Sequence, residues 1–511
     1  MADDANNSGR DPSTDTLATP ASTTSLYVVD DQMNDGAEGA RPESVVPQRP
    51  DAYYRDLYKD RLDFRALARD DPDLKAVLHN GQLDFRDPAA VRQLTITLLW
   101  RDFGLKLELP ENRLCPPIPN RHSYVVWIKA LMEDDGPAVG LDIGTGASCI
   151  YPLLACAQRH KWQFLATDID AESLTFARDN VARNGLADRI QVVARSPDEP
   201  LICTGDDPSA ASPSSSSSSP SLDFTMCNPP FYASADEMTA SAAAKKQPPH
   251  SACTGALVEM VYAARDGHTG GEIAFVGRIL DESAKLRSRV RWYTAMLGKL
   301  ASLNVLVGQL RARGIDNYAV AAFVQGTKTR RWALGWSYGA RRPAMAAARG
   351  GSDGSGLESY RHILPPISEV DVLSVPRGNQ ATSATDTVSL STAIDALMQS
   401  LALAAWDWDE EALLGVGRAR ENVWGRAWRR KKQREERAAA EGGPPKPTED
   451  PATLPLGRDE DPAFGFVVTV RVGVTETIVH CRWLEGHNEA MYQSFCGFLK
   501  DKLKPSRPEG D

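Results

Sequence analysis

One segment constrains this 511-residue chain more than any other: Ala138-Val139-Gly140-Leu141-Asp142-Ile143-Gly144-Thr145-Gly146-Ala147-Ser148. It reads as a strand, a tight turn and a helix start, with Ser148 able to cap the helix or bond a ligand. Gly144 and Gly146 let the backbone approach a ligand with no Cβ in the way. A dinucleotide fingerprint needs a third glycine at position 149, where Cys149 stands, so nicotinamide and flavin cofactors are disfavoured. A helix over 150–158 follows, then a second apolar strand over 162–167 that ends in Asp168-Ile169-Asp170. An acidic side chain there is placed to accept ribose hydroxyls. Asp168, 24 positions after Gly144 (168 − 144), takes that role, with Asp170 the competitor at the next helix cap. The order implies a doubly wound α/β fold.

Downstream, the apolar run Phe224-Thr225-Met226-Cys227 leads into Asn228-Pro229-Pro230-Phe231. This tetrapeptide suits a planar exocyclic amine such as adenine N6. The lone pair of that nitrogen is delocalised into the ring, so a site must orient it. The Asn228 side-chain oxygen accepts one amine hydrogen and the Pro229 carbonyl the other, leaving the lone pair facing a methyl group. Phe231 offers a face on which an unstacked base rests, worth on the order of 1–3 kcal/mol. Asn-Pro alone would suggest a turn. Four residues in this order after a strand, preceded by the glycine turn and Asp168, point to S-adenosylmethionine as donor.

Further text matches a known family: Tyr58-Lys59-Asp60, Phe85-Arg86-Asp87-Pro88, Asp102-Phe103-Gly104-Leu105, Asp142 to Leu154, Cys227 to Phe231, Arg291-Trp292-Tyr293, Met296-Leu297-Gly298-Lys299, Gln325-Gly326 and Arg331-Trp332-Ala333-Leu334. From about Tyr58 to Tyr338 the chain resembles the methyltransferase-like 16 family, adenine-N6 RNA methyltransferases that modify U6 spliceosomal RNA and are related to bacterial ribosomal-RNA enzymes. The resemblance implies donor contacts from Arg121, Gly144, Ser148, Asp168 and Asn228. It implies RNA contacts from Arg86 and from the basic turn after Gln325-Gly326, where Lys328, Arg330 and Arg331 are all candidates because the spacing is one residue longer. Asp168 stands where the family usually has Glu, and Pro200 where it has a threonine, so no role carries over to Pro200.

Length argues for two folded units plus tails. There is no run of about 18 apolar residues and no basic, apolar N-terminal leader, so neither a membrane span nor a secretory signal is expected. Eight scattered cysteines without metal spacing are expected to be reduced, with no metal site. The formal charge of −10 is uneven: residues 1–50 hold nine acidic and three basic side chains, net −6. That tail is expected to be disordered, as is the insertion 204–221 with its serine run Ser214 to Ser219. Helices are expected over Tyr53–Leu78 and Pro88–Asp102, making a helical extension. Arg278 to Arg313, with Trp292 and Tyr293 among its basic residues, reads as a surface for looped RNA. Strands over 318–325 and 333–338 complete the sheet.

After a linker at 341–364, strands are expected at 369–375 and 385–390 and a helix at 393–403. Residues 418–437 carry nine basic and three acidic side chains, net +6, with Trp424 and Trp428 at helical spacing, suiting RNA attachment or nuclear import. Strands at 465–474 and 477–484 and a helix at 488–502 close the chain. This ending resembles the family's C-terminal RNA-binding region. The expectation is a class I, Rossmann-like methyltransferase domain (51–340) with an N-terminal helical extension, plus a smaller C-terminal α+β RNA-binding module (365–503) with a basic, partly disordered segment at 418–461. The resemblance suggests U6 small nuclear RNA as substrate; a nuclear location, with the cytoplasm as a second one, and a monomer or weak dimer without membrane or DNA partners are also expected. A protein glutamine-N5 methyltransferase and an inactive RNA-binding scaffold are the alternatives. The first typically has Tyr where Phe231 stands.

Overall fold

The computed structural model describes residues 49–204, 222–243, 257–263, 270–325, 329–350, 357–376, 383–440 and 463–504. The acidic tail up to residue 48, the serine run, Lys328 and residues 441–462 lie outside them. The larger sheet has seven strands: β1 (Ala138–Ile143), β2 (Trp162–Asp168), β3 (Ile190–Ala194), β4 (Leu222–Cys227), β5 (Val290–Leu297), β6 (Tyr318–Gln325) and β7 (Thr329–Trp336). Their order is β3-β2-β1-β4-β5-β7-β6. The first five are parallel, and β7 runs antiparallel to both β5 and β6. The chain leaves β1 for β2 and β3 on one side, then returns to β4 and β5 on the other. Such a reversal opens a crevice beyond the carboxyl ends of β1 and β4.

Close packing fixes the centre of this sheet. Trp162, Phe164 and Phe224 are buried together, with the Phe224 ring centroid 5.0 Å from Trp162 and 5.6 Å from Phe164. A Cβ on Gly140 would lie 2.6 Å from both the Phe164 and Phe224 rings, so only glycine fits between them. Around the sheet pack α1 (Pro88–Phe103), α2 (Ile118–Met132), α3 (Ile150–Gln158), α4 (Ala171–Arg183), α5 (Gly271–Leu286) and α6 (Leu300–Ala312).

Two expectations are corrected here. The single helix expected over Tyr53–Leu78 is three short ones, Asp51–Asp56, Phe64–Leu67 and Pro72–Ala76. Tyr58, at φ 65°, breaks the path, and the Asp63 and Asp71 side chains accept from the first N–H groups of the next two. Such aspartates favour a fresh start over continuation. In the basic stretch 278–313 the aromatics do not interleave with the cations on the surface. Trp292 and Tyr293 lie in β5 at 3% and 0% exposure, while Arg291, Lys299 and Arg313 pair with Asp134, Glu237 and Asp281.

The second sheet is antiparallel and five-stranded, β8 (Glu369–Pro376), β9 (Ala405–Asp409), β10 (Leu414–Ala419), β11 (Phe464–Val472) and β12 (Glu476–Glu485), in the order β8-β12-β11-β10-β9. With it go α7 (Ser383–Gln399), α8 (Arg426–Ala440) and α9 (Glu489–Lys502). The strand expected at 385–390 is inside α7, and β9 and β10 were not foreseen. Trp424 precedes α8 and is buried against Phe464 and Phe495, so it does not share a helical stripe with Trp428.

The junction between the sheets is polar and tight. Arg342 is buried with its guanidinium 3.6 Å over the Trp483 ring, pairs with Asp316, and donates to the Gly486 carbonyl at 2.8 Å. Glu133, the left-handed cap of α2, accepts from Arg482, from Arg341 at 3.3 Å and from the Ala344 N–H at 2.7 Å.

Candidate active site

Strand register assembles the site. Ile143 lies opposite Thr167 on one side and Cys227 on the other. The next residues, Asp168, Gly144 and Asn228, therefore stand in a row at the carboxyl ends of β2, β1 and β4, each about 4.8 Å from the next strand. After β1 the chain turns through Gly144 (φ 74°) and Gly146 (φ 62°), a conformation that favours glycine. A Cβ on Gly144 would meet nothing within 4 Å, so open space lies over the turn. Asp168 braces it: one carboxylate oxygen accepts from the Gly146 N–H at 2.8 Å, the other from Ile169 at 2.8 Å and Asp170 at 3.0 Å. Burial raises the Asp168 pKa against those three hydrogen bonds. Asp170 is otherwise engaged, capping α4 through the Ser173 N–H and pairing with Arg113, so it does not compete with Asp168 for the crevice. Ser148 is buried just before α3.

Asn228 is held from behind. Arg121, buried on α2, donates through Nη1 to Asn228 Oδ1 at 2.9 Å and to the Tyr151 hydroxyl at 2.9 Å, and approaches Met296 Sδ at 3.3 Å. This contact fixes which end of the amide faces Arg121, and Oδ1 retains a second lone pair. Burial raises the Tyr151 pKa, so it stays a neutral phenol. Phe231 packs on the far side, where a Cβ on Gly298 would come within 3.0 Å of its Cδ1. Arg331, on β7, stands 5.5 Å from the Phe231 ring centroid. Burial first, and the Arg121 charge second, lower the Arg331 pKa. Glu272, buried at the start of α5, accepts from the Gly298 N–H at 2.6 Å and the Lys299 N–H at 3.1 Å, which holds this corner rigid.

A family model described as RNA methyltransferase matches residues 48–340. The chain belongs to that family. It is similar to RNA N(6)-adenosine-methyltransferase METTL16 of Mus musculus, 41% identical over 297 residues, a match that covers 56% of this chain and 51% of the mouse protein. The chain thus spans about half the length of that curated relative. It is also similar to the U6 small nuclear RNA (adenine-(43)-N(6))-methyltransferase of Schizosaccharomyces pombe, 30% identical over 434 residues, with 84% of this chain and 97% of that protein covered. Among solved structures, the human METTL16 catalytic domain in complex with MAT2A 3'UTR hairpin 1 is 40% identical at a TM-score of 0.47, covering 55% of this chain and 92% of that one.

The other residues expected in this RNA methyltransferase family member fall in different places. Arg86 is exposed in the turn that precedes α1, its N–H bonded to Asp84. Lys328 lies outside the described residues. Arg330 and Arg331 are neighbours in β7 and so point to opposite faces. Arg330 stacks near Trp332 and Tyr360, away from Phe231, whereas Arg331 enters the site. Pro229 is buried and Pro230 half-buried beside Asn228. Sequence reasoning gave no role to Tyr151, Met296, Gly298 or Glu272. The only signal for three of them was text shared with the family, Tyr151 within 142–154 and Met296-Leu297-Gly298. Among the described residues, no cluster of His, Cys, Asp or Glu could hold a metal ion, and no helix is long and apolar enough to cross a membrane.

Proposed function

We propose that this chain is an S-adenosylmethionine-dependent RNA adenine-N6 methyltransferase that acts on structured RNA, with U6 small nuclear RNA as its main substrate. One observation carries the reading: Asn228 follows the strand next to the glycine turn in direct register, with its amide fixed by Arg121. The open space over Gly144 and the carboxylate of Asp168 fit a nucleoside-bearing donor. Gly144, Ser148, Asp168, Arg121 and Asn228 would hold it. When bound, the donor supplies an electrophilic methyl group.

Asn228 Oδ1 and the Pro229 carbonyl orient the two hydrogens of the adenine amine, and Phe231 supports the base by stacking. Catalysis then comes mainly from orientation. No side chain is assigned as a base, because the proton can leave after transfer. Arg86 and Arg331 are the RNA-facing cations of the catalytic half. The fission-yeast relative, named for U6 and covered over 97% of its length, supports the substrate.

The second sheet with α8 is proposed as an RNA-binding module spanning 365–503. Arg429, Arg430, Lys431 and Lys432 are exposed on α8, which suits phosphate contacts and nuclear import. The test is methyl transfer from labelled S-adenosylmethionine to total RNA by wild type and Asn228→Ala. N6-methyladenine in U6, lost in the variant, is the expected result. Label on protein glutamine would overturn the reading, and donor binding with no transfer would indicate a scaffold.

A further inference from the structure

Arg331 stands on a part of the sheet with little support of its own. β7 pairs with β5 only from Trp332 to Trp336, the last contact of β5 being Leu297 opposite Trp332. Thr329, Arg330 and Arg331 lie past that end and pair with β6 alone, opposite Gln325, Val324 and Phe323. The RNA-facing cation is thus carried by a two-stranded ribbon that projects beyond its neighbour, an arrangement of marginal stability unless something packs on it. Such ribbons also twist more than wide sheets, and a small rotation of the strand is amplified at the tip of an arginine side chain.

The packing comes from residues 341–364, expected as a linker. Ala347 and Ala348 are buried in one core with Trp127 and Phe323, and Trp127 donates through Nε1 to the Ala347 carbonyl at 2.8 Å. Leu357, Ile363 and Leu364 are buried in the other core with Trp332. The residues on either side of 351–356 therefore cover the edge strand β6 and its partner β7 from both faces. The Leu364 carbonyl accepts from the Tyr318 hydroxyl at 2.8 Å and from Arg311 at 3.1 Å, which anchors the end of the segment. Before that anchor, Tyr360 lies against the outer face of β7. Its ring meets Trp332 edge-on, with centroids 5.1 Å apart at 85°, and its hydroxyl accepts from Arg330 Nη1 at 3.3 Å. The Arg330 guanidinium stands 5.6 Å from the Trp332 ring centroid and 5.9 Å from that of Tyr360. We infer that Tyr360 is a positioning residue for RNA binding: by bracing Arg330 and Trp332 from outside, it holds the ribbon at the angle that aims Arg331 toward Phe231. The inference rests on the RNA-facing role given to Arg331 above. It makes residues 341–364 part of the catalytic unit, because the far side of the strand that carries Arg331 is built from them.

The test is binding of a fluorescein-labelled U6 hairpin RNA to the full chain, followed by anisotropy over a series of salt concentrations. Arg331→Ala and Tyr360→Leu are each expected to weaken binding about fivefold and to lower the slope of log affinity against log salt by roughly one, the signature of a lost phosphate contact. The double variant should bind within about twofold of Arg331→Ala, since the brace has nothing left to aim. Tyr360→Phe keeps the ring against Trp332 and should stay within about twofold of wild type. Additive losses in the double variant would overturn the inference, because Tyr360 would then act apart from Arg331. A weakened Tyr360→Leu with an unchanged salt slope would overturn it as well, leaving Tyr360 a strut of the fold. Arg330→Met breaks the same stack from the strand side and is taken through the same cycle with Arg331→Ala, so a Tyr360→Leu chain that thermal melting shows to be unfolded still leaves a deciding pair. Methyl transfer is measured alongside: RNA binding without transfer by the wild type would remove the methyltransferase reading and leave the brace standing, whereas no RNA binding by the wild type would overturn both.

Discussion

Gly298→Ala should damage the reaction through a ring it does not share a strand with. The added methyl would lie 3.0 Å from Cδ1 and 3.2 Å from Cε1 of Phe231, and 3.4 Å from Glu272 Oε2. Glu272 is pinned by two backbone N–H groups, so the aromatic ring is what must yield. Ordinary carbon contacts begin a few tenths of an ångström further out, so Phe231 must move by that much from the position in which it would support a base. Stacking on such a ring is worth about 1–3 kcal/mol. Losing about 1 kcal/mol of it lowers kcat/KM roughly fivefold. Folding stability should change by less, about 1 kcal/mol or under, because the backbone at residue 298 is not in the left-handed region. The assay is single-turnover methyl transfer to a hairpin RNA, with Gly298→Ala measured alone and in a Phe231→Leu background. With the ring already gone, the glycine substitution should cost almost nothing. An equal loss in both backgrounds would refute the argument, since the glycine would then act through something other than the ring.

Arg121→Lys keeps a charge but ends short of the position of Nη1, the one nitrogen that holds both Asn228 and Tyr151, so kcat/KM should fall about tenfold in the same assay. Burial holds His122 at a pKa of about 4, below its unfolded 6.5, so its contribution to stability is full above pH 6.5 and is lost as pH falls toward 4. Urea unfolding at a series of pH values should show up to about 3 kcal/mol of that dependence disappearing in His122→Gln. Burial raises Asp142 to about 7 from 3.8, so its contribution runs the other way, present below pH 3.8 and lost as pH rises through 7. Asp142→Asn should remove that opposing slope, and an unchanged pH profile would show that the carboxyl titrates normally. Arg342→Ala should lower stability by about 3 kcal/mol, read as a drop in melting temperature, because it strips Trp483 and Asp316 of their shared partner.

What could be read from the chain was local. Gly144, Asp168 and Asn228 each end an apolar run, and the parallel register turns three separate signals into one row. Arg121 was found only through family likeness, because a buried arginine on α2 looks like any other helix charge. The contact of Gly298 with Phe231 joins positions 67 apart (298 − 231), and the approach of Arg331 depends on which face of β7 it occupies. Neither pattern nor propensity specifies such pairings. The Asp63 and Asp71 caps were visible as Asp before helical residues, yet the charged periodicity around them hid the breaks. Strand β5 was misread because arginines crowd its start while its aromatics are buried, and α7 because Thr and Val suit a strand until Ile394 and Met398 give it a helical buried face.

Helix α2 has a mechanical consequence. Arg121 sits near its start and Glu133 caps its end, 12 residues apart (133 − 121), a span of about 18 Å at 1.5 Å per residue. One terminus grips the Asn228 amide and the other is bolted to Arg341, Arg482 and the Ala344 N–H. The helix is thus a push-rod running from the second sheet to the reacting end of the first. Torque delivered where the chain crosses between sheets bears directly on the aim of a single amide.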